Sequence, residues 1–214
     1  MYRRFNIPTL ARSDGSEQPT PIPFATVNDY PSGPGPGAHT LLVTRTQPGT
    51  AGDVFVLSTI GAFEPKPLVV TSAYEGGPHL SPDQRWFVYA ATGGGRTAVL
   101  VRRYAFPDRQ WPVSEGTGTQ ARWSADGREI YYRDGASIMA VPFDGSGDEP
   151  VMGKATPLFR DDYEYGPGVT IANYDATPDG RFLMLRRESQ GGRLHIVLNW
   201  TEELKQIIAR GGVR

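Results

Sequence analysis

Short apolar runs rich in aromatic and β-branched residues recur along this chain, separated by clusters of Gly, Pro, Ser, Thr and Asp. Runs too short for a helix and bounded by turn formers predict strands. They include Leu41-Leu42-Val43, Trp86-Phe87-Val88-Tyr89, Ile130-Tyr131-Tyr132 and Phe182-Leu183-Met184-Leu185. Behind each a further strand is predicted, at residues 53–58, 97–103, 137–142 and 194–200. A weaker one follows at 66–71, 110–114 and 155–159, and the last group has none. A short helix is predicted in its place. Asn199 can cap it, with Glu202 three residues on, and Gly211 ends it. Trp200, Leu204, Ile207 and Ile208 share one face, suited to sealing an exposed edge or face of the sheets.

The turn clusters repeat. Ser81-Pro82-Asp83-Gln84-Arg85, Ser124-Ala125-Asp126-Gly127-Arg128 and Thr177-Pro178-Asp179-Gly180-Arg181 each precede an apolar strand, at spacings of 43 and 53 residues. A worn copy, residues 31–37, leads into His39-Thr40-Leu41-Leu42-Val43. Proline presets φ, Asp bonds nearby backbone N–H groups, and Gly takes φ > 0, so each copy is a hairpin hinge. Asp83, Asp126, Gly127, Asp179 and Gly180 are therefore expected to be turn structure. Gln84 stands where the other copies have Gly, which predicts a strained or differently shaped turn there. Periods near 40–50 residues belong to propeller blades of four strands each.

The expected fold is thus all-β: a β-propeller of about four four-stranded blades, partial or open, with a short C-terminal helix. Residues 1–27 read as a half-blade or closing strand. Four units follow at about 28–76, 77–116, 117–165 and 166–200, then the helix and tail at 201–214. The first unit, which lacks the Trp, the Asp and the ordered turn, is the least regular. The 26 Gly and 19 Pro, about a fifth of the 214 residues, fit a chain of hinges and loops.

The three hinges resemble the TolB-type, WD-like β-propeller repeat. The ending Ile196-Val197-Leu198-Asn199-Trp200-Thr201-Glu202-Glu203-Leu204-Lys205 is similar to that of propeller regions fused behind bacterial serine/threonine protein kinases. Residues 45–57 also fit that group. The resemblance implies a sensor or interaction module, and the kinase motifs themselves are missing from this sequence.

Charge and chemistry narrow the function further. Lys plus Arg is 22 and Asp plus Glu 23, a net charge of −1, which argues against a nucleic-acid binder. Cysteine is absent, and His39, His79 and His195 are the three histidines, so metal and acid–base chemistry is thinly supplied. No Gly-x-Ser-x-Gly elbow occurs. Residues 144–149 lack the alternating ligands of a calcium loop and read as a hairpin turn. Residues 147–154 are mis-spaced for a phosphate loop. No catalytic residue, metal ligand or cofactor is expected. With no secretion signal and no apolar stretch near the roughly 18–20 residues that span a bilayer, the expectation is a cytoplasmic chain without membrane insertion. It becomes extracytoplasmic if the chain is part of a membrane-anchored protein.

The expected activity is non-catalytic recognition of a protein, peptide or small ligand by loops at one face, in a bacterial signalling setting. Tyr74, Glu75, His79, Trp111, Asp162, Tyr163, Glu164 and Tyr165 are the candidate contacts, expected to gather there. Asp161-Asp162-Tyr163-Glu164-Tyr165 concentrates three carboxylates and two aromatics, suited to a cation or basic peptide as well as to a solvated loop. His79 is placed at the start of an inner strand, where it could face a central channel. Two alternatives stand beside this reading. One is an enzyme with a carboxylate or cation site in the channel, a lyase or hydrolase. The other is a self-assembly module that forms homodimers through open sheet edges.

Overall fold

In a computed structural model, the described residues are 7–61, 64–106, 108–165 and 170–186, and they contain strands and turns with no helix. The predicted helix after Asn199 and the strand at 194–200 lie outside them. Two-residue strands β1 (Thr9–Leu10) and β2 (Thr20–Pro21) pair with each other. The first full sheet follows, ordered β3 (Asp29–Pro34), β4 (Thr40–Arg45), β5 (Asp53–Ser58) and β6 (Lys66–Val69). The second runs β7 (Tyr74–Leu80), β8 (Trp86–Gly93), β9 (Arg96–Arg103) and β10 (Gln110–Pro112). In the third, β11 (Thr119–Trp123), β12 (Glu129–Asp134) and β13 (Ser137–Asp144) are flanked by two pieces, β14 (Val151–Met152) and β15 (Thr156–Arg160), both paired with β13. A hairpin of β16 (Asp175–Ala176) and β17 (Phe182–Leu183) begins a fourth group. The first sheet is complete although its sequence repeat is the most worn.

Stacking of the sheets face to face explains why the strand sequences are apolar without alternation. Successive side chains of a strand point to opposite faces. Phe87 and Tyr89 pack towards the first sheet, against Leu42, Val54, Val56, Leu68 and Val69. Trp86 and Val88 point the other way, joining Val99 and Val101 against Trp123, Ile130, Tyr132 and Phe143 of the third sheet. Ile130 and Tyr132 complete that seam, while Tyr131 between them turns to Tyr174 and Phe182. Both faces are buried, so every position wants an apolar residue. The aromatic seam is built from edge-to-face pairs, Trp86–Phe143 at 5.6 Å and Trp123–Phe143 at 4.8 Å between ring centres. Leading strands of successive sheets lie side by side: β7 touches β3 and β11, and β11 touches β16.

The hinges are held by one repeated hydrogen-bond set. Ser81 Oγ donates to Asp83 Oδ1 (2.5 Å) and accepts from Trp86 N (3.0 Å), while Asp83 Oδ1 also accepts from Arg85 N (3.1 Å). Ser124 and Asp126 repeat this at 2.7, 2.9 and 3.1 Å. Thr177 donates to Asp179 and accepts from Arg181 N (3.1 Å), closing its turn one residue sooner. The hydroxyl bonds hold the Asp126 and Asp179 carboxyls below the ordinary carboxylate range. At the fourth hinge position Gly127 and Gly180 adopt φ of 72° and 80°, and Gln84 adopts 61°. The Gln hinge therefore keeps the shape of the others and carries the strain. Its side chain explains its presence: Gln84 Oε1 accepts from Gly37 N (3.0 Å) in the worn hinge of the first sheet.

Candidate functional site

Each sheet has two ends. At one lie the Ser/Thr-x-Asp hinges. At the other lie the hairpins at Gly94-Gly95 and Gly135-Ala136, and the connections that carry the chain from one sheet to the next. The candidate contacts divide between the two. Tyr74 and Glu75 begin β7, at the connection end. The segment 161–165 belongs to the same end, because Asp161 N donates to Ala136 O (2.9 Å) and Tyr165 Oη donates to Gly135 O (3.0 Å). His79 and Trp111 lie elsewhere. His79 is the penultimate residue of β7, towards its hinge, rather than at its start. Trp111 sits on the outer strand β10, its ring 5.7 Å from Trp86 and 5.1 Å from the Arg109 guanidinium.

His79 ties three sheets together. Its Nδ1 accepts from Trp123 N (3.4 Å), its carbonyl oxygen accepts from Trp123 Nε1 (3.0 Å), and its ring lies against Gly33. The ring also borders a small opening of about 220 Å³ shared with Pro34, Gly35 and the Ser81–Pro82 hinge. Withdrawal from water, together with the positive charge of Arg122, pushes the imidazole from 6.5 down to about 3. It is a neutral acceptor, and the charge acting on it is cationic rather than the carboxylate an acid–base pair would need.

Glu75 is buried rather than displayed. Its Oε1 accepts from the Thr71 hydroxyl, and its N–H donates to Gly52 O (2.7 Å) across the seam to the first sheet. Tyr74 lies over Gly52 and Gly76, and its hydroxyl is 3.1 Å from Thr170 Oγ1.

The segment 161–165 is displayed on its outside and fixed from within. Arg133, on β12, is fully buried beneath it. Its Nε lies 3.2 Å from Asp161 Oδ2, its Nη1 donates to Glu164 O (3.1 Å), and its guanidinium stacks 4.3 Å from the Tyr165 ring. Asn173 Nδ2 donates to the same Glu164 carbonyl (2.7 Å), and Glu164 N donates to Leu185 O (2.9 Å). Outside, Asp162, Tyr163, Glu164, Tyr165 and Arg186 border an open depression of about 570 Å³. Asp162 is paired with Arg160 (2.9 Å), so Asp161 and Asp162 are both matched by guanidinium groups. Net charge is therefore a weak source of affinity at this place. Sequence reasoning passed over Arg133, because a charge at a strand end normally points to water. The signal that would have found it is the acidic run 161–164, a counter-charge waiting in a connection. No group of three or more His, Asp or Glu residues that could hold a metal occurs among the described residues.

No protein-family model and no curated protein matches the sequence. Solved structures do match its shape. TolB from Acinetobacter baumannii superposes with a TM-score of 0.63 at 17% identity, over 86% of this chain and 43% of that one. The fold is a TolB-type β-propeller. A protein assigned as TolB from Agrobacterium tumefaciens gives 0.51 at 17% identity, over 66% of this chain and 59% of its own. The chain thus spans about half the length of these TolB structures, and its stacked sheets are the blades of a partial propeller. Identity this low carries the fold and no function.

Proposed function

We propose that this propeller is a non-catalytic binding module whose connection end recognises an extended segment of a protein or peptide. The observation that carries this reading is the segment 161–165, anchored through the buried Arg133 while Tyr163 and Tyr165 flank an open depression. A loop already held in one conformation binds without a large ordering cost, and tyrosines give wide contact area at little entropic loss. Because Asp161 and Asp162 already have guanidinium partners, recognition rests on rings and backbone more than on charge. The TolB-type fold agrees with a binding role. A place in a bacterial signalling protein is supported by the resemblance of residues 45–57 and 196–205 to kinase-fused propellers.

A random peptide library displayed on phage and selected on the wild-type protein tests this. Selected peptides are expected to bind the Asp162→Ala/Tyr163→Ala variant at least about tenfold more weakly, the size of one modest hot spot. They should bind Arg128→Ala, altered at the hinge end, as well as wild type. Equal binding to wild type and the double variant, at matched melting temperatures, refutes the reading.

A further inference from the structure

Residues 144–150 form the hairpin between β13 and β14 of the third blade, and its tip reaches the second blade. Pairing of Asp144 with Val151 makes its root, and Ser146 N donates to Asp144 Oδ1 (2.9 Å) to shape the turn. Beyond that bond, the hydrogen bonds and ion pairs of residues 145–149 go to the second blade. Gly145 O accepts from the Trp86 indole Nε1 (3.1 Å). Ser146 O and Gly147 O accept from Arg85 Nη2 (3.3 and 3.5 Å). Asp148 pairs with Arg103 (2.7 Å), and Glu149 pairs with Arg109 (2.6 Å). Both guanidinium groups are themselves seated on rings. Arg103 lies 5.9 Å from Trp86 and 5.8 Å from Phe106, and Arg109 lies 5.1 Å from Trp111. Glycine is required at 145 by the close approach, since a Cβ there would stand 2.3 Å from Trp86 Nε1. Five successive residues of one blade thus each address a group of the next.

We propose that residues 145–149 are a clasp laid by the third blade over the second, fastened at its tip by charge, and that salt releases the tip and opens the edge of the Trp86 seam to water. Root and tip are held by forces of different kinds. The root is strand pairing above the buried Phe143, which salt does not weaken. The tip is charge at the surface, where the Asp148 side chain is 92% exposed, Arg109 65% and Glu149 60%. Ion pairs this open to water are weak, and mobile ions screen them further. The hairpin also borders an open depression of about 570 Å³ with Arg128, Phe143 and Val151, so it is not packed on every side. The Trp86 ring is buried in the seam, and its one polar group is met by the carbonyl of Gly145. When the tip lifts, that N–H loses its acceptor and must be met by water, while the rings beneath it stay stacked.

The Trp86 indole N–H is therefore the reporter. Its exchange with water, followed by proton–nitrogen NMR on the full chain at about 20 mM and about 500 mM NaCl, tests the clasp without any substitution. Trp123 supplies an internal control, because its Nε1 donates to His79 O (3.0 Å), a carbonyl of β7 outside the clasp. Relative to Trp123, the Trp86 proton is expected to exchange about fivefold faster at the higher salt, the combined worth of two exposed ion pairs. Asp148→Ala/Glu149→Ala, altered at two exposed positions, should show the faster rate already at low salt and lose the salt dependence. A Trp86 rate unchanged by salt, equal acceleration of Trp86 and Trp123, or a double variant that exchanges as slowly as wild type at low salt would each overturn the proposal.

Discussion

Replacing His79 by Asn removes one titrating group from the centre of the array while keeping an acceptor at the position of Nδ1. In the native protein that nitrogen accepts from Trp123 N, and protonation would replace the acceptor with a second donor facing the first. Burial, with the positive charge of Arg122 nearby, keeps the native imidazole neutral down to about 3, against 6.5 for an unrestrained histidine. Between these values the unfolded chain binds a proton that the native chain refuses, so stability rises with pH and is lost as pH falls. Each pH unit inside the window is worth about 1.4 kcal/mol, so moving from pH 7.5 to 5 costs about 2 kcal/mol through this residue alone. Asn carries a constant penalty for the lost ring but no such slope. Urea unfolding followed by tryptophan fluorescence at the two pH values measures both. The variant should lose about 2 kcal/mol less than wild type on acidification. Equal losses would refute the idea that burial and the Arg122 charge hold His79 neutral.

Five further substitutions test the turns and the joints between blades. Gly77→Ala places a Cβ against the Thr170 carbonyl at φ +63°, whereas Gly94→Ala at φ +60° meets open space. Both should lose the 1–2 kcal/mol or so of a left-handed residue, and Gly77→Ala clearly more, seen as a larger drop in the denaturation midpoint. Gly127→Ala should cost about 1–2 kcal/mol by the same measurement. Gln84→Gly should be nearly neutral, because relief at φ 61° is offset by loss of the bond to Gly37. Trp86→Ala empties the seam between the second and third blades and should cost about 3–5 kcal/mol, read as loss of cooperative unfolding near room temperature.

The hinges were readable from the chain because all their bonds close within a few residues. Ser81 reaches Asp83 and Trp86, and Ser124 reaches Asp126 and Glu129, so hydroxyl, carboxylate and turn residue must appear in order in the sequence. The same holds for the strand count of the second blade, whereas the third adds the two-residue strand β14, which the sequence reading did not place. The worn first repeat still builds a four-stranded blade, and what its sequence hid was the hydrogen bond its hinge takes from Gln84, 47 residues away. Glu75 looked like a surface contact beside Tyr74, and its burial depended on Gly52 and Asp53 arriving across the seam.

Local chemistry thus determined the all-β class, the repeat and the position of each hinge, since short-range hydrogen bonds and backbone preferences leave their residues in sequence order. Tertiary structure decided what each polar side chain does. Whether His79 faces a channel or Trp123, whether Arg133 meets water or Asp161, and whether Glu75 reaches solvent or is covered at the Gly52 seam all depend on partners 23 to 44 residues away. Those partners are brought within reach by blade stacking, and burial then turns a few ångströms of approach into a change of charge state.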